Sequence, residues 1–161
     1  MERILAGTHA PKRGIVVALA FYFAYGSNLK TARMQSRIAR AELRGLSSLG
    51  GYRWRCNKRG VDGSAKDNIE VCHGEQVWGV VFGFPETDFP TLDGFEKGYL
   101  RIPVEVAVGS ERLRAQTYLS ERTIRDERPN AAYRAVMVEG AREHALPASF
   151  IARLETLRVI D

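Results

Sequence analysis

Four consecutive residues, Tyr25-Gly26-Ser27-Asn28, end an apolar, aromatic run and precede a segment with helical periodicity. At such a junction the first backbone N–H groups lack helical partners, and a glycine lets a ligand approach the main chain, so the turn can hold a carboxylate or a developing oxyanion. Taken alone, these residues read more simply as a turn in which Asn28 caps the next helix. Asp93 and Glu96 lie three apart, on nearly the same face of a short helix. Glu96, between Phe95 and a turn at Gly98, is placed for the partial burial that makes a carboxyl a proton carrier at neutral pH. The plain alternative is two carboxylates that cap and solvate the helix. Tyr118 stands in a strand near the small Ala115 and Thr117, an ordinary core position unless a site adjoins it. Ser27 has no Gly-x-Ser-x-Gly elbow and no histidine placed as its base, which argues against a serine hydrolase. No zinc site is expected, because His9, His73 and His144 are scattered and Cys72-His73 lacks a paired ligand spacing.

The elements that must position these residues follow from pattern and punctuation. Residues 15–25 read as a strand, and residues 28–40 as a helix with Leu29, Met34 and Ile38 inward and a basic face of Lys30, Arg33, Arg37 and Arg40. The glycine-rich stretch 45–67 reads as a short strand and then a long exposed loop. Residues 76–84 are apolar without strict alternation, which predicts a strand covered on both faces. Thr87 or Asp88 can cap a short helix with Pro90 in its first turn, and this helix carries Leu92, Asp93, Phe95 and Glu96. Residues 99–108 and 112–119 form a hairpin across Gly109-Ser110, and 129–146 and 147–157 form two closing helices. The pattern predicts an α+β domain with a mainly antiparallel sheet, comprising residues 15–161 after a loose tail over 1–14. Periodicity does not say whether the sheet closes.

The chain has 161 residues, 45% hydrophobic and 27% charged, which suits one globular domain with its own core. The net charge of +5 would attract acidic substrates or partners, but arginines interspersed with Asp and Glu do not form a phosphate-tracking stripe, so no nucleic acid is expected. Cys56 and Cys72 read as reduced thiols of a cytoplasmic protein, and His73 and His144 as surface or rim residues. Lys12 and Arg13 before an apolar run imitate a secretory leader, yet the run continues into strand-like Phe21, Tyr22 and Phe23 and is too short to span a membrane as a helix. No membrane association is expected.

Taken together, five stretches resemble the gamma-glutamyl cyclotransferase family, in order and at compatible spacing from about Tyr22 to Leu157. They are Tyr22-Phe23-Ala24-Tyr25-Gly26-Ser27-Asn28-Leu29, Val77-Trp78-Gly79-Val80-Val81, Leu92-Asp93-Gly94-Phe95-Glu96, Thr117-Tyr118-Leu119, and the region from Tyr133 to Phe150 with Gly140-Ala141, Glu143 and Leu146-Pro147. The resemblance implies a small mixed, mainly antiparallel β-barrel with flanking helices, with no cofactor and a small gamma-glutamyl substrate handled by a monomer or homodimer. It implies Glu96 as catalytic acid/base. It also implies a substrate-binding set of Tyr22, Ala24, Tyr25, Gly26, Ser27, Asn28 and Tyr118. The implied reaction is attack of the substrate's own α-amine on its γ-carbonyl, releasing 5-oxoproline and an amine, with Asp93 structural.

Two departures stand out. Family members usually have glycine directly after the glutamate and a few more residues before an aromatic; here Lys97 intervenes and Gly98-Tyr99 follows at once. The glutathione-specific branch typically has Leu where this chain has Asn28, which leans the resemblance towards the general branch. Other readings remain open: a tailoring enzyme acting on a carrier-bound gamma-glutamyl intermediate, or a binding module that has lost turnover.

Overall fold

The computed structural model describes residues 17–160. The tail expected over 1–14 and the first residues of the predicted 15–25 strand lie outside them. Among the described residues five strands form a closed barrel in the order β1-β3-β2-β4-β5. β1 (Leu19–Ala24) pairs antiparallel with β3 (Ala65–Pro85), β3 with β2 (Glu42–Arg59), β2 with β4 (Leu100–Val108), and β4 with β5 (Glu111–Leu119). β5 then returns beside β1 in a parallel bridge at Tyr22 and Gln116, which closes the ring and makes the barrel mixed. Four helices flank it: α1 (Thr31–Arg37), α2 (Phe89–Phe95), α3 (Ala131–Glu143) and α4 (Ala148–Glu155).

The second half of β3 behaves as its apolar run predicts. Val77, Val80, Val81, Phe82 and Phe84 are all buried, and Phe84 packs on Phe89 of α2 with ring centroids 4.8 Å apart. Each such side chain contributes about 1.5–3 kcal/mol by leaving water. Leu92, fully buried, fixes the next turn of α2 against the same core. The β4–β5 hairpin turns at Gly109-Ser110 as expected. Asn130 starts α3, its side chain accepting the Tyr133 N–H at 2.7 Å, a cap the pattern alone did not single out.

Stretch 45–67 departs from expectation. In place of a short strand and a long loop, β2 runs for 18 residues and pairs along most of its length with the 21-residue β3, leaving only residues 60–64 as a turn. Gly45 (φ 145°) and Gly51 (φ 82°) sit at register shifts in this ladder, where a bulge bends the strand around the barrel. The glycines that looked like loop punctuation are bends within one strand.

Helix starts also differ. A 3-10 turn at Ser27–Leu29 separates β1 from the seven-residue α1, so the helix predicted over 28–40 is shorter and Asn28 caps nothing. Neither Thr87 nor Asp88 caps α2 with its side chain; the Asp88 carboxylate instead takes the Arg40 guanidinium at 2.8 Å. Among the described residues no helix is long and apolar enough to cross a membrane.

Candidate active site

The end of β1 and the start of its turn are pinned from across the barrel. The Tyr25 hydroxyl donates to the Tyr118 carbonyl, and Thr117 Oγ1 donates to the Phe23 carbonyl at 2.8 Å. These bonds extend the single parallel bridge between β1 and β5 and hold the turn against the barrel mouth. Leu29 plugs the core beneath it, and His144 Nε2 lies 2.8 Å from the Leu29 carbonyl. His144, expected at the surface or rim, has a side chain only 7% exposed, enclosed by the turn.

Glu96 leaves α2 at its C-terminus. Its N–H still bonds the Leu92 and Asp93 carbonyls, while its own backbone (φ −99°, ψ 47°) departs from helix and turns the chain towards Gly98. Lys58 Nζ donates to the Lys97 carbonyl at 2.9 Å and Ser120 Oγ to the Gly98 carbonyl at 2.8 Å, so β2 and the end of β5 brace this corner. The carboxylate, 12% exposed, accepts at Oε1 from Asn28 Nδ2 (2.7 Å) and Arg37 Nη1 (3.0 Å). Burial, and then the negative charge of Asp67, push this carboxyl up to about 7, against the opposing pull of Arg37, Asn28 and Arg33. A group poised there exchanges protons readily at neutral pH. Asn28 Nδ2 also donates to the Tyr22 hydroxyl (3.0 Å), whereas Asn28 Oδ1 is buried without a partner.

The turn's anion-holding capacity is already used by the protein itself. Asp67, on β3, places Oδ2 2.8 Å from the Ser27 N–H, while the Tyr99 hydroxyl donates to Asp67 Oδ1 (2.8 Å) and to its carbonyl (2.7 Å). A Cβ on residue 26 would fall 1.4 Å from Asp67 Oδ2, so only glycine admits this carboxylate. The sequence reading missed Asp67, because it lay in what looked like an exposed loop; only the long β2–β3 ladder carries it to the turn. Arg37 was visible as part of a basic helix face, but its partner was not.

Tyr22, Tyr25, Gly26, Ser27, Asn28 and Tyr118 converge with Glu96 around one enclosed space of about 10 Å³, joined by Asp67 and Tyr99. Ala24 does not: it is fully buried on β1 and lines none of the cavities described here. Asp93, despite its spacing from Glu96, serves other neighbours, accepting from the Tyr118 hydroxyl (2.6 Å) and pairing with Arg101 Nε (2.9 Å). From Ser27, Asp67, Glu96 and Tyr99 a cleft of about 460 Å³ opens to solvent, with Arg33, Arg37, Lys58, Lys66 and Lys97 along its walls. Lys97, the extra residue after Glu96, is thus part of the cleft.

Among the described residues no group of three or more His, Cys, Asp or Glu is placed to hold a metal ion. Cys56 and Cys72 are unpaired, and burial pushes the Cys56 thiol up to about 12.

Residues 76–154 match the AIG2-like family. The chain is 29% identical to a gamma-glutamylcyclotransferase of Bos taurus over 151 residues, covering 87% of this chain and 79% of the relative. It is 27% identical to the gamma-glutamylcyclotransferase of Homo sapiens over 152 residues, with coverage of 87% and 79%. Among solved structures, a gamma-glutamyl cyclotransferase superposes with a TM-score of 0.81 at 26% identity, covering 89% of this chain and 90% of that one. By sequence match and by barrel topology together, the chain has the gamma-glutamyl cyclotransferase fold and is similar to the AIG2-like family and to gamma-glutamylcyclotransferases.

Proposed function

We propose that the protein cyclises a gamma-glutamyl amide, releasing 5-oxoproline and a free amine, with Glu96 as the proton carrier. The observation that carries this reading is the buried Glu96 carboxyl, raised to about 7 and lying beside the glycine turn at the head of an open cleft. A gamma-glutamyl amide carries its own nucleophile, so the protein's task is orientation, which can supply an effective molarity of about 10⁵ M or more. Glu96 takes one proton from the substrate's α-ammonium. The freed amine attacks the γ-carbonyl carbon and a C–N bond forms. Glu96 returns its proton to the amide nitrogen as the old C–N bond breaks. The second proton shed by the attacking nitrogen as the ring closes is taken up by Glu96 and passes to solvent or to the departing amine. No covalent enzyme intermediate is needed.

Arg33, Lys58 and Lys97 line the outer cleft and, among the described residues, make no ion pair. This surplus of positive charge favours a leaving amine that itself bears an anion, such as an amino acid. It also keeps a carrier-bound substrate as a second reading, since an acidic carrier would be drawn to the same mouth.

The test is chromatographic measurement of 5-oxoproline from gamma-glutamyl amino acids, gamma-glutamyl amines, glutathione and a carrier-tethered gamma-glutamyl group. Release by the native protein, with loss of about 10²-fold or more in Glu96→Gln, is the expected result. Turnover confined to the tethered substrate and strongly weakened by salt would select the second reading. Silence throughout from folded protein would refute the enzyme reading.

A further inference from the structure

We propose that Asp67 is the receptor for the substrate's α-ammonium group, and so a specificity-determining residue for a substrate bearing a free amine; the inference rests on the cyclotransferase reading above. The starting point is an imbalance of charge and of hydrogen-bonding capacity. Asp67 is held by neutral groups only, the Ser27 N–H on Oδ2 and the Tyr99 hydroxyl on Oδ1 with the Tyr133 hydroxyl beside its carboxylate, and has no ion-pair partner among the described residues. Each carboxylate oxygen has lone-pair capacity beyond those bonds. Close by, Glu96 directs Oε1 to Asn28 and Arg37, and no hydrogen bond to its Oε2 is found among the described residues. The third acceptor is Asn28 Oδ1, on a side chain 3% exposed and without a partner.

All three groups line the same enclosed space at the head of the cleft. Among the described residues no cation lines that space itself: Arg37, from the outer cleft, is committed to Glu96, while Arg33 and Lys58, also in the outer cleft, act on the carboxylates through their charge without pairing with them. What complements such a set is a small cation with several donors, and an ammonium group has three. A substrate carboxylate does not fit the same position, since the Ser27 amide that would receive it is taken by Asp67 and carboxylates stand on both sides. The ligand is therefore oriented with its amine inward, against Asp67 and within reach of Glu96, and its negative groups outward towards Arg33, Lys58 and Lys97. Asp67 binds the charged amine and Glu96 accepts its proton. Both roles need the carboxylates to be adjacent, and the negative charge of Asp67 is among the causes that raise Glu96.

Calorimetry on the Glu96→Gln protein, which retains Asp67, tests this with two ligands that differ only in the amine: γ-glutamyl-alanine and N-glutaryl-alanine. The amine-bearing ligand is expected to bind about tenfold or more tightly, as suits a charge-assisted contact. In Glu96→Gln/Asp67→Asn, and in Glu96→Gln/Asp67→Ala should the first double variant not fold, that preference is expected to collapse to about twofold or less. A preference that survives loss of the Asp67 carboxylate, or one already absent in Glu96→Gln, overturns the inference while leaving the cyclotransferase reading intact. Failure of Glu96→Gln to bind either ligand overturns both.

Discussion

Two of the clefts on this barrel, similar in size, differ in what they enclose. One, of about 460 Å³, opens from Glu96 and Asp67; the other, of about 520 Å³, lies between β2 and β4 along Ser48, Tyr52 and residues 103–107. The charged groups of the second, Glu105 and Arg112, are largely exposed and meet each other at 4.0 Å, a pairing that water and salt screen. In the first, a carboxyl is drawn into the protein, raised to about 7, and set against a second carboxylate and an orphaned amide oxygen. Alike in volume, the two differ in chemistry, and the second is the quieter. Enclosed and unbalanced charge, rather than space, is what distinguishes a reacting site here.

The comparison can be broken most directly at Glu96, where Gln should cost about 10²-fold or more in 5-oxoproline release. Next comes Gly26→Ala. Its Cβ would displace Asp67 from the Ser27 amide, and kcat/KM is expected to fall on the order of 10²-fold, as for other misplacements of about 1 Å in an oriented reaction. Arg37→Gln removes the positive charge paired with Glu96. Arg37 holds Glu96 down, so its loss raises that carboxyl further; activity that needs ionised Glu96 then appears at higher pH, and the acidic limb of kcat/KM, expected near 7 in the native protein, should move up by about one pH unit. The opposite movement would show that Glu96 is not the group being titrated. Tyr118→Phe removes a 2.6 Å bond to Asp93 and should cost about 1 kcal/mol in urea unfolding, with turnover changed by less than about fivefold. Arg112→Ala, in the second cleft, is expected to leave turnover within about twofold; a larger loss would mean that the quiet cleft takes part after all.

Legibility in the sequence followed the range of the interactions. The apolar run of β3, the Gly109-Ser110 hairpin and the two closing helices each depend on neighbours a few residues apart, and each formed where the pattern placed it within a few residues. Stretch 45–67 did not, because a bulge glycine and a loop glycine look alike until the partner strand is known. Asn28 reads as a cap because caps are local; in the folded chain its amide reaches a carboxylate 68 residues away. His144 was assigned to the rim, yet the 3-10 turn covers it.

By itself the sequence determined an α+β chain with a glycine turn after its first strand and a carboxylate at the end of a short helix, together with five stretches in a recognisable order. Only the tertiary structure decided that the sheet closes through a parallel bridge, that the turn's amide is filled by Asp67, and that burial and Asp67 raise the Glu96 carboxyl against Arg37 and Asn28. The reason is physical: backbone propensity and periodicity act over a few residues, whereas desolvation and Coulomb coupling depend on which distant groups the closed barrel brings within a few ångströms.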